Sequence, residues 1–381
     1  MIDINLLICE LVNYAEKNCL LDKRDKIYAS NKLIDVLKLS EYNMPDSHSS
    51  IDRDLEAILE DIRKWAVENN RVENDSVDVL DIFDTKVMDT VIKLPSEIER
   101  KFYNKYKLSP SSATEYFYSF AKKSNYIRED RIKKDIRWKY ETEYGMLDIT
   151  INMSKPEKDP RAIARAKEMI SAGYPKCMLC KENEGYRGRL DFPPRSNHRV
   201  IGIDLSGERW YLQYSPYIYY NEHCIVFKDD HVPMKLTKKT FDNLLEFVQK
   251  FPHYFIGSNA DLPIVGGSIL SHDHFQGGNY SFAMAQAKEE NHIVLSNNIS
   301  ACTLKWPMSV IRLKGIDKNS LADLSYEIYT RWKSYNDIDS QILSHSSETE
   351  HNTITPICRN RNGLIEIDLV LRNNRTTENR P

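Results

Sequence analysis

The sequence lacks any run of apolar residues long enough to span a bilayer, so it predicts no membrane-spanning segment. Behind Met1 there is no basic segment, apolar segment and small-residue cleavage site of the kind that marks a secretory signal. Charge of one sign is not concentrated either, because 53 basic and 56 acidic residues are interleaved and the net charge is only −3. We therefore expect a cytoplasmic protein with neither a membrane nor a nucleic acid as its partner.

A disulfide framework is also missing. The chain has seven cysteines, an odd number, and most have no partner at a recognisable spacing, which suits a reducing compartment. The isolated ones are Cys9, Cys19, Cys224, Cys302 and Cys358.

Cys177 and Cys180 form the one cysteine pattern, with the two-residue spacing that places two thiolates on a single zinc ion. A tetrahedral site needs two more ligands. The candidate histidines are His198, His223, His231 and His272. The alternative is a reduced cysteine pair that packs in a turn, whereas a thioredoxin-like redox role is disfavoured because no βαβ pattern surrounds the motif.

Hydrophobic periodicity divides the chain into two regions. Apolar residues recur at intervals of three and four from Ile4 to about Glu143, which predicts a helical N-terminal region over 1–145. From Tyr174 onward, short runs of Tyr, Val, Ile and Phe separated by turns predict an antiparallel sheet, so we expect an α+β region over 146–381. The predicted strands are 146–153, 200–205, 209–214, 223–227, 309–313 and a hairpin of 354–359 with 364–371; the predicted helices are 161–172, 237–251 and 321–332.

The segment 128–144 is densely charged. Its charges alternate in sign, which favours a solvated helix face over a phosphate-binding patch. We therefore assign it to the end of the helical region.

Two histidines and a glutamine occur at alternate positions in His272-Asp273-His274-Phe275-Gln276. In an extended strand, predicted here over 268–278, all three side chains would point to the same face. Glycines at 266–267 and 277–278 would let a ligand approach the backbone amides. The combination predicts a phosphate-binding floor, whereas a His-x-His pair alone could equally face solvent or bind a metal.

These residue types suit transfer of a phosphoryl group. A neutral imidazole can attack phosphorus without activation by a base, and the P–N bond that forms is labile. An intermediate on His274 could then pass to a second phosphate-bearing substrate. The neutral amide of Gln276 can donate a hydrogen bond to a phosphate oxygen without the repulsion that a carboxylate would add.

The segment Val265–Gly278 resembles the active-site segment of the galactose-1-phosphate uridylyltransferase family, and in particular its second type, which is typical of Gram-positive bacteria. The similarity extends over nearly the whole chain. It includes Tyr174–Cys180, Asn197–Arg199, Asn221–His223 and Lys305–Arg312.

The resemblance implies transfer of UMP from UDP-glucose to galactose 1-phosphate, or between UDP-galactose and glucose 1-phosphate, on a sheet of the histidine-triad type. It implies that His274 is the nucleophile and forms a uridylyl-histidine, and that Gln276 holds the phosphate. It further implies a structural zinc bound by Cys177, Cys180, His231 and His272, with no organic cofactor.

Less directly, the resemblance implies that nucleotide contacts are made by Asn259, Gly267 and Ser268, and that the enzyme is a homodimer. Members of the family usually extend well beyond the position of Pro381, so we expect this chain to be truncated at its C-terminus. Two alternatives remain open. One is a nucleotide-sugar or dinucleotide phosphorylase or hydrolase of the same superfamily, and the other is an inactive, truncated zinc-binding scaffold.

Overall fold

The computed structural model describes residues 3–45, 53–153, 173–265, 269–295 and 298–376. The helix predicted over 161–172 lies outside these ranges. The chain forms two compact units. The helical unit comprises Met1–Leu108, Ser112–Asp135 and Asn152–Ile201, and the sheet unit comprises Ser109–Ser111, Ile136–Ile151 and Gly202–Pro381. None of the helices within the described ranges has both the length and the apolar character required to cross a bilayer.

The helices of the helical unit form because their sequences are amphipathic. In its first helix Leu7, Ile8, Leu11 and Ala15 are buried along one stripe, and Asp3 caps the N-terminus by accepting a hydrogen bond of 3.0 Å from the backbone N–H of Asn5. The helices at this end of the chain are α1 Ile4–Lys17, α2 Lys26–Val36, α3 Leu55–Glu68, α4 Val77–Asp89, α5 Pro95–Tyr106, α6 Pro110–Lys123 and α7 Glu129–Ile132. The predicted helical N-terminal region is thus confirmed as far as α7.

The sheet unit contains a ten-stranded sheet in the order β3-β4-β5-β7-β6-β13-β14-β10-β9-β8. Its strands are β3 Ile201–Leu205, β4 Glu208–Tyr214, β5 Cys224–Lys228, β6 Phe255–Ser258, β7 His274–Gly278, β8 Glu289–Val294, β9 Ser300–Leu304, β10 Val310–Gly315, β13 Asn352–Arg361 and β14 Leu364–Asn373. Two hairpins lie outside it, formed by β1 Ile136–Thr142 with β2 Gly145–Ile151 and by β11 His345–Ser346 with β12 Thr349–Glu350. Neighbouring strands run antiparallel, as the α+β prediction requires.

The ten strands form two halves of the same design. In each half three strands precede a helix and two strands follow it: α8, Lys238–Lys250, lies between β5 and β6, and α9, Lys318–Lys333, lies between β10 and β13. The strand order of the second half mirrors that of the first, so β6 and β13 pair at the centre of the sheet. Both helices pack on this central region, where the apolar face of α8 is buried against β6 and β13.

The prediction of a helix over 128–144 is wrong for most of its length. Helix α7 ends at Ile132 and strand β1 follows, with Ile136, Trp138 and Tyr140 alternating with charged residues. That alternation has the period of a strand, and the strand pairs with β2. The β1–β2 hairpin belongs to the sheet unit, whereas residues 152–201 belong to the helical unit. The sequence predicts a single division after residue 145, and the two units differ from it in these two segments.

The predicted active-site strand also begins later than expected. Strand β7 starts at His274, not at 268, and it pairs with β5 on one side and β6 on the other. Glycine permits close approach at Gly277, where a β-carbon would lie 2.4 Å from the carbonyl oxygen of Phe255. The backbone of β7 therefore lies close against that of β6 at this residue.

Candidate active site

His274 and Gln276 lie on the same face of β7, since they are two residues apart in a strand. Gln276 is opposite Ile225 of β5 and Gly257 of β6. A β-carbon at Gly257 would lie 3.1 Å from the carbonyl oxygen of Pro356 and 3.2 Å from Cγ1 of Ile357, so β6 and β13 pack closely at this residue. His274 is buried and Gln276 is half-buried.

The hydrogen bonds of His274 define which nitrogen could attack a substrate. Its Nδ1 lies 2.8 Å from the carbonyl oxygen of His272 and donates to it, so Nε2 carries the lone pair in the neutral ring. The side-chain amide of Asn259 donates to Nε2 at 3.1 Å. Burial lowers the pKa of His274, which favours this neutral form. The geometry thus presents the chemistry of an imidazole nucleophile.

Gln276 is held at both ends of its amide. Its Nε2 donates to Oδ1 of Asn259 at 3.3 Å, and its Oε1 lies 3.3 Å from Nε2 of His223. An amide nitrogen carries two hydrogens, so one N–H remains to donate to a ligand oxygen. Asn259, which was predicted to contact the nucleotide, therefore joins His274 to Gln276. Gly267 and Ser268, predicted for the same role, lie outside the described residues.

His272 does not lie on the strand face that carries His274 and Gln276. It precedes β7 in a turn, where its Nε2 donates to the carbonyl oxygen of Lys228 at 2.8 Å and its ring centroid is 4.9 Å from that of His231. The expectation that three side chains line one strand face is thus wrong, and two do. A backbone acceptor on one imidazole nitrogen is the usual support for a histidine that binds a metal through the other.

The cysteine pair is formed as its spacing predicts. The sulfur atoms of Cys177 and Cys180 are 3.5 Å apart, and the amide of Asn183 closes the turn by donating to the carbonyl oxygens of both cysteines at 2.8 and 2.7 Å. Burial raises the pKa of the Cys180 thiol to about 12. Such a thiol is a poor redox nucleophile but becomes a thiolate when it binds a metal cation.

Two of the four candidate histidines have other partners. His198 stacks on Tyr126 with the ring centroids 4.4 Å apart, and His223 faces Gln276. His231 and His272 remain as the pair whose surroundings suit a metal. The contact between His223 and Gln276 is a feature that sequence reasoning missed, since the sequence offers His223 only as a candidate zinc ligand and as part of the resembling segment Asn221–His223.

A cavity of about 440 Å³ lies on the face of the sheet that carries Gln276. Its wall includes the aromatic rings of Phe255, Tyr280, Phe282 and Trp306. Phe255 lies on the same face as Gly257, the residue opposite Gln276. A cavity with aromatic walls and a few polar groups has the size and lining typical of a small-molecule site.

The chain matches two family profiles. Residues 20–233 match the family described as "Galactose-1-phosphate uridyl transferase, N-terminal domain", and residues 246–378 match "Galactose-1-phosphate uridyl transferase, C-terminal domain". The chain belongs to the galactose-1-phosphate uridylyltransferase family. The first matched region ends within the sheet unit at residue 233. The second lies in that unit throughout and contains β7 with His274 and Gln276.

Relatives in the family include proteins called galactose-1-phosphate uridylyltransferase from several bacteria. The one from Halalkalibacterium halodurans is 51% identical over 99% of this chain and 75% of its own length. The one from Butyrivibrio fibrisolvens is 48% identical over 95% of this chain and 93% of its own length. Among solved structures, yeast Ap4A phosphorylase Apa2 aligns with a TM-score of 0.37 and 14% identity over 72% of this chain and 78% of its own.

Proposed function

We propose that this chain is a uridylyltransferase that moves UMP from UDP-glucose to galactose 1-phosphate through a covalent intermediate on His274. Two observations support the proposal. The first is membership of the family, with relatives at about 50% identity. The second is the imidazole of His274, whose Nε2 accepts a hydrogen bond from Asn259 and lies on the same strand face as the half-buried amide of Gln276. The second observation carries the assignment of the nucleophile. The enzyme is a nucleotidyltransferase.

In the first step Nε2 of His274 gives up the hydrogen bond from Asn259 and attacks the α-phosphorus of UDP-glucose with the lone pair that this releases. A P–N bond forms while the bond from that phosphorus to the bridging oxygen breaks, and the electron pair leaves with glucose 1-phosphate. Throughout, Nδ1–H stays bonded to the carbonyl oxygen of His272, which stabilises the positive charge that develops on the ring. The remaining N–H of Gln276 donates to a nonbridging oxygen as negative charge shifts onto it.

In the second step a phosphate oxygen of galactose 1-phosphate attacks the same phosphorus. The P–N bond breaks, its electron pair returns to Nε2, and UDP-galactose leaves. Because the two sugar phosphates use the site in turn, the kinetics are ping-pong, and the reverse reaction starts from UDP-galactose and glucose 1-phosphate. An imidazole nucleophile needs no organic cofactor for this exchange.

The nucleotide is proposed to be held by Asn259, Gly267 and Ser268. Asn259 supports this role because it already bonds His274 and Gln276, so a nucleotide at the phosphate would lie within its reach. The cavity beside Phe255 offers room on the same sheet face for an organic group of the substrate.

A structural zinc is proposed to bind Cys177, Cys180, His231 and His272. Two pairs of side chains support the proposal: the thiols of Cys177 and Cys180, 3.5 Å apart, and the imidazoles of His231 and His272, 4.9 Å apart between centroids. When bound, zinc would hold these side chains in place and would supply no reaction step. Total metal analysis should find about one zinc per chain, and Cys180→Ser should lower that content several-fold while Cys19→Ser does not. Full zinc in Cys180→Ser would remove Cys180 from the ligand set.

A phosphorylase or hydrolase is less well supported. Relatives at about 50% identity over nearly the whole chain are called uridylyltransferases. Gln276 also stands where hydrolases of the superfamily usually have a third histidine. We further propose a cytoplasmic location and a homodimer; the first is suited by seven cysteines of which none forms a disulfide within the described ranges, and the second rests on the family alone.

Trapping the intermediate tests the proposal. Incubation with UDP-glucose labelled in its uridine, without acceptor, should leave label on the protein, and galactose 1-phosphate should release it as UDP-galactose. His274→Gly should fold, as judged by its melting transition, and take up no label. Absence of label on the natural chain, or its release to water alone, would count against a transferase. Loss of zinc and of folding in His274→Gly would reverse the roles given to His272 and His274.

A further inference from the structure

His223 lies between two hydrogen-bond acceptors. It immediately precedes β5 and is buried, with its ring centroid 4.5 Å from that of Tyr220. Its Nδ1 is 3.0 Å from the carbonyl oxygen of Tyr217, and its Nε2 is 3.3 Å from Oε1 of Gln276. A neutral imidazole can donate from only one nitrogen, so its hydrogen must be assigned by the rest of the chain of bonds.

That chain runs through four side chains between two carbonyl oxygens. It starts at the oxygen of Tyr217, passes through His223, Gln276, Asn259 and His274, and ends at the oxygen of His272. Its five links need five hydrogens, and the two amides and two neutral imidazoles supply one each. Either one imidazole is doubly protonated or one link is not made.

The position of the hydrogens decides whether His274 can react. If Nε2 of His223 carries the hydrogen, it donates to the oxygen of Gln276. The amide nitrogen of Gln276 then donates to Asn259, and the amide nitrogen of Asn259 donates to Nε2 of His274. In this arrangement Nε2 of His274 is unprotonated and keeps its lone pair. If both amides are reversed, the oxygen of Asn259 faces Nε2 of His274, which must then carry a hydrogen to bond. A protonated Nε2 has no lone pair for phosphorus, so the reversed chain is unreactive.

We propose that His223 is a positioning residue for the reaction: its Nε2–H fixes the orientation of Gln276 and, through Asn259, keeps the lone pair of His274 available. The inference rests on the proposed function. His223 itself does not touch the phosphorus. It acts through Gln276, whose amide would otherwise be free to turn its oxygen toward the phosphate and repel it.

The first test compares two replacements of similar length and flexibility. His223→Gln retains an amide N–H that can donate to Oε1 of Gln276, whereas His223→Met has no donor. In single-turnover labelling with uridine-labelled UDP-glucose, His223→Met should slow uridylylation roughly tenfold to a hundredfold, as loss of a supporting hydrogen bond does elsewhere. His223→Gln should recover most of that rate, with KM for UDP-glucose changing less than kcat in both. Equal rates for the two variants would overturn the proposal.

A double-mutant cycle separates positioning from a general structural role. In a Gln276→Ala background there is no amide to orient, so adding His223→Met should change the labelling rate by less than about threefold. A further loss as large as in the natural background would mean that His223 acts independently of Gln276, and the proposal would fail.

Three controls make each outcome decisive. Tyr219→Phe alters a half-exposed ring whose centroid is 5.5 Å from that of His223 and should label at the natural rate. Melting transitions are measured for every variant, and His223→Leu serves as a second donor-free replacement. If neither His223→Met nor His223→Leu folds, His223 is structural and the proposal is overturned. If the natural chain takes up no label, the proposed function fails instead of this inference.

Discussion

At the scale of single residues, Asn259 is the residue on which both candidate catalytic side chains depend. Its Nδ2 donates to Nε2 of His274 and its Oδ1 accepts from Gln276. An amide can do both because it has a donor and an acceptor on the same group. Replacing it by a group of the same shape that only accepts would change the chemistry without changing the packing.

Asn259→Asp should abolish most of the activity. A carboxylate cannot donate to Nε2 of His274, and by accepting there it draws a proton onto the nitrogen that must attack phosphorus. The labelling rate should fall roughly a hundredfold or more, as when a directed donor is lost from an active site. Asn319→Asp, the same change at an exposed position in α9, is the matched control and should label normally. A normal rate in Asn259→Asp with an unchanged melting transition would show that the bond to His274 has no catalytic role.

The spacing of the motif could predict His274 and Gln276, but not the two residues that hold them. Asn259 is 15 positions from His274 in sequence, and His223 is 53 positions from Gln276. Pairing of β7 with β5 and β6 brings them together, and no local pattern encodes that register. His272 was misplaced for a related reason: alternation was assumed to continue into a segment that is a turn.

At the scale of elements, β7 is constrained by glycine. A β-carbon at Gly277 would lie 2.4 Å from the carbonyl oxygen of Phe255 and 2.7 Å from Cδ1 of Ile256. Backbone atoms of β6 would have to move to make room. Because Gln276 is the adjacent residue, the movement would reach the site.

Gly277→Ala should therefore lower both stability and activity. We expect the free energy of unfolding to fall by roughly 1–3 kcal/mol, the usual cost of overpacking, and the labelling rate to fall with it. Gly315→Ala in β10 is the control, because its β-carbon would meet side-chain atoms of Ile299 and Leu321 at 3.4 Å. Denaturant unfolding compares the two. Equal stability of the two variants would mean that β6 and β7 separate more easily than their packing indicates.

Elements with a strong local pattern could be predicted closely. The helix expected over 237–251 is Lys238–Lys250, and the hairpin expected around Asn360–Gly363 is formed by β13 and β14. The prediction for 128–144 is wrong because it rests on the alternating signs of the charges, whereas the strand period is carried by Ile136, Trp138 and Tyr140, which alternate with charged residues although β1 is largely exposed. Strand β6, only four residues long, was also missed, although it carries the site's neighbour Gly257.

At the scale of the whole sheet, the two halves share a design but not a site. In the second half β14 has the place that β7 has in the first, next to the central strand. It contains no histidine. Instead, Asp368 is fully buried and accepts from Arg312 at 2.6 and 2.9 Å and from Arg359 at 2.8 Å. A carboxylate saturated by two guanidinium groups cannot act as a nucleophile, so β14 carries a buried ion-pair cluster where β7 carries the proposed nucleophile.

A single proposed nucleophile, His274, predicts the stoichiometry of the intermediate. With excess UDP-glucose and continuous removal of glucose 1-phosphate, intact-protein mass spectrometry should show one uridylyl group added per chain and none in His274→Gly. Asp368→Asn is the informative companion. It removes the buried negative charge between two arginines and should destabilise the chain by about 3–5 kcal/mol, the usual cost of breaking a buried ion pair. In the folded fraction it should still add one group, because β14 carries no histidine to lose.

Two groups per natural chain, or one group that survives in His274→Gly, would place a reactive residue outside β7.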